Sequence, residues 1–273
     1  MRSFSLLAYR KRWSRPKLQA LFVCLTGFLL GFAGGRRAAA AQGVKELRVA
    51  AAADLQPVMP VFAAAYEKKT GVKLVVNYGS SGTLTNQILN GAPIDVFLGA
   101  DFVFPERIVA AGLADMTAPV AYAKGTLVLW ARKDSPLQPI SLEKISGPEM
   151  KSLAIADELR APYGRAAVSA LTKLKLYEGV KARLVTAESV AQAGQFAESG
   201  NAQAGLISLT LASSTHFKDV GTYVLVPTVY PEIRQCGVVL KAGRKEEGQR
   251  FLKWMLEADV QGHLRELGLA PVR

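Results

Sequence analysis

The chain has 273 residues, half of them hydrophobic, and a formal net charge of +12; that apolar content supports one large or two medium cores and excludes a mostly disordered chain. The positive balance would suit a nucleic-acid partner, yet eight of the basic residues (Arg2, Arg10, Lys11, Arg12, Arg15, Lys17, Arg36 and Arg37) stand in the first 41 positions, where no acidic residue occurs. The other 26 basic residues face 22 acidic ones without long runs, so no nucleic-acid partner is expected.

In chain order, residues 1–41 have the organisation of an export signal. A basic stretch runs to Lys17, an apolar run from Leu18 to Ala33, and small residues follow through Ala41, with cleavage expected after Ala40 or Ala41. The apolar run falls short of the ~20 residues that span a bilayer, which favours removal over a permanent anchor. Val23 precedes Cys24, where a lipidation signal would place a small residue. The mature protein is therefore expected outside the cytoplasm, in the periplasm or an equivalent compartment. Cys236 is then the only cysteine, so no intrachain disulfide can form. His216 and His263 are far apart, show no metal-ligand spacing and are expected at the surface.

From residue 46 onward, short β-branched or apolar runs alternate with stretches of helical period, the pattern of a mainly parallel sheet covered by helices. A strand is expected over Leu47–Ala51, then a helix over Leu55–Lys69 with Asp54 as its N-cap and Gly71 as its stop. A second strand, Val72–Tyr78, ends in Gly79-Ser80-Ser81-Gly82, and a helix follows from Thr83 to Leu89. Asp95–Leu98 is a third strand, Gly99-Ala100 a tight connection, and Asp101 the cap of a helix reaching Ala111. The second half repeats this grammar. Strands are expected at Thr126–Arg132, Leu153–Ala156, Ala182–Thr186 and Ala204–Ser208. Ala161-Pro162-Tyr163-Gly164 opens a helix over Arg165–Leu174, and Glu188-Ser189 opens another. From Gly237 a last strand leads to helices between Glu246 and Leu267.

Short connections from strand ends into helix starts are where open α/β sheets bind ligands. Each presents unpaired N–H groups and the positive end of a helix dipole, which together favour an anion. The junction residues Ala53, Ser80, Ser81, Gly82, Thr83, Gly99 and Ala100 are small or hydroxylic, so an oxyanion can approach the backbone and receive hydroxyl donors without a formal counter-charge. Any one such turn is adequately explained as a turn former or a cap; it is their recurrence, joined to export, that points to function.

At these junctions the sequence resembles the periplasmic molybdate-binding proteins of ABC transporters, a branch of the type II periplasmic binding protein fold. The resemblance spans almost all of 45–273. It is carried by Val49-Ala50-Ala51-Ala52-Ala53-Asp54-Leu55, Gly79-Ser80-Ser81-Gly82-Thr83-Leu84, Gly91-Ala92-Pro93-Ile94-Asp95-Val96-Phe97, Gly99-Ala100-Asp101, Ala161-Pro162-Tyr163-Gly164 and Ala204-Gly205-Leu206-Ile207-Ser208, in the same order. It implies a two-lobed α/β protein, each lobe a mainly parallel sheet flanked by helices, that shuts on an anion held between the lobes. Lobe 1 would comprise 42–122 plus 228–273, and lobe 2 would be 123–227.

The implied ligand is molybdate or tungstate, with no cofactor; metal would enter only within the oxyanion. The implied shell is Ser81 by hydroxyl and backbone, Ala100, Tyr163 and Val190 by backbone N–H, and Asp54 by its N–H alone. Asp54 stands where the family often has serine, and Ser208 where a tyrosine hydroxyl often reaches the anion. The Asp54 carboxylate is expected to cap its helix and turn away, and Tyr163 to make good the hydroxyl missing at Ser208. The implied partner is the membrane permease of an ABC importer, the implied state a monomer, and the implied role binding without catalysis. Two alternatives stand beside this: the same fold holding sulfate or phosphate, and a secreted hydrolase using Ser80 or Ser81. The latter lacks a histidine at any strand end or glycine-rich turn to act as base.

Overall fold

The computed structural model describes residues 45–272, which belong to one compact unit; the expected export signal lies outside them. The chain runs β1 (Lys45–Ala52), α1 (Met59–Thr70), β2 (Val72–Gly79), α2 (Ser81–Leu89), β3 (Val96–Gly99), α3 (Val103–Ala110) and β4 (Val120–Gly125). It continues with β5 (Leu127–Arg132), β6 (Leu153–Ala156), α4 (Pro162–Lys173), α5 (Tyr177–Val180), β7 (Leu184–Ala187), α6 (Val190–Ser199), β8 (Ala204–Ser208), α7 (Leu209–Ala212), α8 (Thr215–Val220) and β9 (Gly221–Leu225). It closes with β10 (Ile233–Val239), α9 (Lys245–Met255) and α10 (Ala258–His263).

The strands form two five-stranded sheets, ordered β2-β1-β3-β10-β4 and β7-β6-β8-β5-β9. In the first, β1 pairs in parallel with β2 and β3, while β10 runs antiparallel to β3 and β4. In the second, β6 is parallel to β7 and β8, while β5 is antiparallel to β8 and β9. Each sheet therefore has four strands running one way and one against them, a mixed sheet covered by helices in a two-lobed α/β protein. The chain leaves the first sheet at Gly125, enters the second at Leu127, and returns between Leu225 and Ile233.

Alternation along β1 explains how the first sheet is covered on both faces. Leu47, Val49 and Ala51 pack with Phe62, Tyr66, Phe251 and Trp254 of α1 and α9, whereas Ala50 joins Leu84, Ile88, Phe97, Phe104 and Ile108 on the α2–α3 side. Tyr66, Phe251 and Trp254 cluster with ring centroids 5.0–5.8 Å apart, Phe251 stacked on Trp254 and Tyr66 edge-on to Phe251. Asp95, within the Gly-Ala-Pro-Ile-Asp motif, is structural. Burial alone would raise its pKa, but it accepts from Arg48 N at 2.7 Å, Arg48 Nη2 at 2.8 Å and Arg244 N at 3.1 Å, and these hold it below the usual carboxylate value. The second core is centred on Leu127–Ala131, Leu153–Ala156 and Ala204–Ile207, and it extends to Ala52, Ala53 and Ala100 at the ends of the first sheet's strands.

Several expected boundaries shift. The first helix begins at Met59, not Leu55, because Ala53–Leu55 form a single 3-10 turn and Pro57 and Pro60 interrupt the ladder behind it. Gly71 stops that helix as expected, at φ 71°. The strand expected from Gly237 starts at Ile233, and β4 and β9 are additional.

Candidate functional site

Five strand-to-helix junctions converge on one narrow cavity between the sheets. Its lining is Ala52, Ala53 and Asp54 at the end of β1 and just after it, Ser80 and Ser81 after β2, Ala100 after β3, Ala161, Pro162 and Tyr163 at the start of α4, and Val190 at the start of α6. The cavity is narrow, with room for about one water molecule. A larger hollow beside Val61, Phe62, Trp254 and Leu267 is mostly apolar and involves none of the junctions. All five residues singled out from the sequence, Asp54, Ser81, Ala100, Tyr163 and Val190, therefore meet around the same space.

The local sequence explains each placement. Ser80 caps α2, its Oγ accepting from Thr83 N at 3.2 Å, which leaves Ser81 as the first helical residue. Ser81 Oγ accepts from Ala100 N at 3.1 Å, tying the second junction to the third and leaving the serine proton free to donate. Pro162 occupies the first position of α4, where its missing N–H costs nothing, and Tyr163 follows. Ser189 caps α6 through Gln192 N at 3.2 Å, so Val190 opens that helix. Ser81, Tyr163 and Val190 thus carry first-turn N–H groups that have no acceptor within their own helices. Gly164 lets α4 sit against β6: a Cβ there would lie 2.4 Å from the Ala156 carbonyl oxygen.

Contacts across the cavity join the two sheets' elements directly. Gly82 N donates to Arg160 O at 2.8 Å, and Thr83 Oγ1 donates to Glu188 Oε1 at 3.2 Å. The Arg165 guanidinium pairs with Asp101 while lying 5.2 Å from the Phe104 ring centroid. Asp101 also accepts from Phe104 N at 3.2 Å, a cap-like bond to the first turn of α3, although the cap position itself falls on Phe102.

Asp54 departs from expectation. Its carboxyl caps no helix; the 3-10 turn that holds it has Ala52 in the cap position and no side-chain cap bond. It is instead fully buried, with Oδ2 accepting from Gln235 Nε2, and Gln235 Oε1 in turn accepting from Tyr122 Oη at 3.2 Å. Asp54 Oδ1 and Tyr163 Oη are both buried without a hydrogen-bond partner of ordinary geometry, yet near enough to influence each other's ionisation. Desolvation raises the Asp54 pKa to about 6, with Gln235, the residue's own backbone and Tyr163 opposing the rise. Gln235 lies in the part of β10 ahead of Gly237, where that strand was expected to start, and Tyr122 on β4, which was not expected; neither belongs to a motif. Ser208 does not line the cavity. It caps α7, and its Oγ lies 2.8 Å from Thr210 Oγ1, which donates to the Asp54 carbonyl at 2.6 Å. The Tyr163 hydroxyl accordingly sits by Asp54.

Among the described residues no group of three or more His, Cys, Asp or Glu is placed to hold a metal ion. His216 pairs with Glu198 and His263 with the Asp259 carbonyl, both exposed and away from the cavity.

Residues 47–270 match the model of a family described as bacterial extracellular solute-binding protein. The chain is 38% identical over 231 residues to the molybdate-binding protein ModA of Azotobacter vinelandii, covering 84% of this chain and 90% of that one. To the ModA of Rhodobacter capsulatus it is 33% identical, covering 82% and 87%. The solved structure of the periplasmic molybdate-binding protein of Azotobacter vinelandii aligns with a TM-score of 0.77 at 31% identity, over 83% of this chain and all of that one.

Proposed function

The chain belongs to the bacterial extracellular solute-binding proteins and is homologous to the ModA molybdate-binding proteins, and from that premise we propose that it captures molybdate or tungstate in the cleft between its lobes and delivers the anion to an ABC importer. Its role is binding, without chemistry on the ligand. The observation that carries the proposal is the convergence of five junctions, among them the first-turn N–H groups of Ser81, Tyr163 and Val190 and the Ser81 hydroxyl, on a single small cavity without a basic side chain in its lining. Such a site neutralises an oxyanion by helix dipoles and hydrogen bonds, each charge-assisted bond contributing about 1.5–3 kcal/mol. In this proposal Ser81, Ala100, Tyr163, Val190 and the Asp54 N–H form the shell. Lobe 1 is 42–122 with 228–273 and lobe 2 is 123–227, the two closing around the anion. The protein acts as a monomer, is exported by residues 1–41, and docks in its closed form on the permease.

The test is the melting temperature with millimolar molybdate, tungstate, sulfate and phosphate in turn. A ligand at ~100 times its dissociation constant adds about 2.7 kcal/mol to folding stability. A rise with molybdate and tungstate alone is expected. A rise with sulfate or phosphate instead would reassign the ligand, and no rise with any of the four would remove oxyanion capture as the function.

A further inference from the structure

A carboxylate in an anion cage is an apparent contradiction. Asp54 lines the cavity, is fully buried, and keeps Oδ1 without a hydrogen-bond partner of ordinary geometry while Oδ2 is held by Gln235. Among the described residues it forms no ion pair with a basic side chain. An ionised Asp54 beside a bound dianion would put like charges together in a site of low polarity, which costs far more than the same contact in water. The alternative is that the carboxyl is neutral when the anion is present; a neutral carboxyl is a hydrogen-bond donor, which an anion cage requires.

Resting on the oxyanion reading above, we propose that Asp54 is a specificity-determining residue that takes up one proton as the anion binds and presents it from Oδ1, as a hydrogen-bond donor, to the occupied cleft. Gln235 suits this arrangement. Its amide donates to Oδ2 and its carbonyl is engaged by Tyr122, so the amide orientation is fixed and Oδ1 is left to carry the proton. The titratable groups facing Asp54 do not compete for that role. Tyr122 on β4 and Tyr163 on α4 have their pKa values pushed well above the phenol range by burial first, and burial also lifts Tyr230 in the returning connection. Cys236, next to Gln235 on β10, is pushed up to about 12 by burial. Asp101, one residue past Ala100, also has its pKa raised by burial, but it is paired with Arg165, accepts from Phe104 N and does not line the cavity. Asp54 is thus the facing group that changes charge near neutrality, and its proton comes from solvent. The cage consequently favours anions whose oxygens only accept hydrogen bonds. One that brings its own proton, such as hydrogen phosphate, meets a donor where it needs an acceptor.

Titration calorimetry of molybdate into the protein, in buffers of different ionisation heat at about pH 7.5, counts the protons exchanged. Nearly one proton taken up per anion is expected, with Kd rising about tenfold per pH unit above about pH 6.5. In Asp54→Asn, whose amide mimics the neutral acid, uptake should vanish and Kd should become independent of pH. Molybdate binding by the native protein without proton uptake would overturn the proposal while leaving the function intact, as would unchanged uptake in Asp54→Asn. Tighter binding of hydrogen phosphate than of molybdate would also overturn it, since Asp54 would then be accepting from the ligand. Absence of binding by any oxyanion would instead remove the function itself, and the proposal with it. If circular dichroism shows Asp54→Asn unfolded, the proton count on the native protein decides alone.

Discussion

Asp54 has a consequence for stability that needs no ligand. Its pKa rises from 3.8 to about 6 on folding, so the folded protein holds the proton more tightly than the unfolded chain. Its contribution therefore favours folding fully below the unfolded pKa and is lost as pH rises through about 6, a difference on the order of 3 kcal/mol by neutral pH. Asp54→Asn should be the more stable protein at pH 7 and should lose its advantage toward pH 4, as read from urea midpoints of the two proteins across that range. Had Oδ1 a strong donor in the native protein, the two curves would run parallel. The residues that the junction motifs single out were legible because small and hydroxylic side chains between strand and helix are visible in one dimension. The Gln235–Tyr122 relay was not: its bond to Asp54 joins positions 181 residues apart, and neither partner belongs to a recognisable pattern. The expectation that Asp54 would cap a helix failed for a local reason. Pro57 and Pro60 delay the helix, and the residue that should have capped it is folded into a 3-10 turn.

At the scale of elements, the cavity depends on how closely helix starts approach strand ends. Gly164 is the clearest case, since any side chain there would press on the Ala156 carbonyl and on the backbone of Asp157. Gly164→Ala is expected to cost about 1–3 kcal/mol as α4 is pushed away from β6, seen as a fall of several degrees in Tm. Because α4 presents Tyr163, anion affinity should fall in the same variant. The parallel strands with their helices, and the reversed strand β5, were the readable part of the fold, because apolar runs stand out there between helical stretches. β9 escaped because Thr222, Tyr223 and Leu225 are exposed, so no buried alternation marks it, and β4 because its burial is uneven along its length.

Across the whole molecule, contacts by side chains as well as backbone bridge the cleft between the two lobes. Arg165 is about a third exposed and Asp101 nearly buried, so screening keeps the energy of the pair modest, but it spans the cleft and Arg165 also covers the Phe104 ring. Arg165→Ala should raise the rate of anion release roughly two- to fivefold while leaving the rate of capture nearly unchanged, in stopped-flow fluorescence with tungstate. An equal change in both rates would mean that the pair steers the anion in and does not hold the lobes shut.

The reversed strand β10 also sets an order of assembly. Everything the second sheet needs lies between Leu127 and Leu225, a continuous stretch, whereas β3 and β4 of the first sheet are bridged only by β10, more than a hundred residues after β4. In a chain that emerges amino end first, the second sheet has all its strands while β3 still exposes an unpaired edge, the kind that invites pairing with another chain. The same late strand brings Gln235 to Asp54. Closing the sheet and finishing the cleft are therefore one event, and a chain stalled before Ile233 would be both sticky and unable to bind.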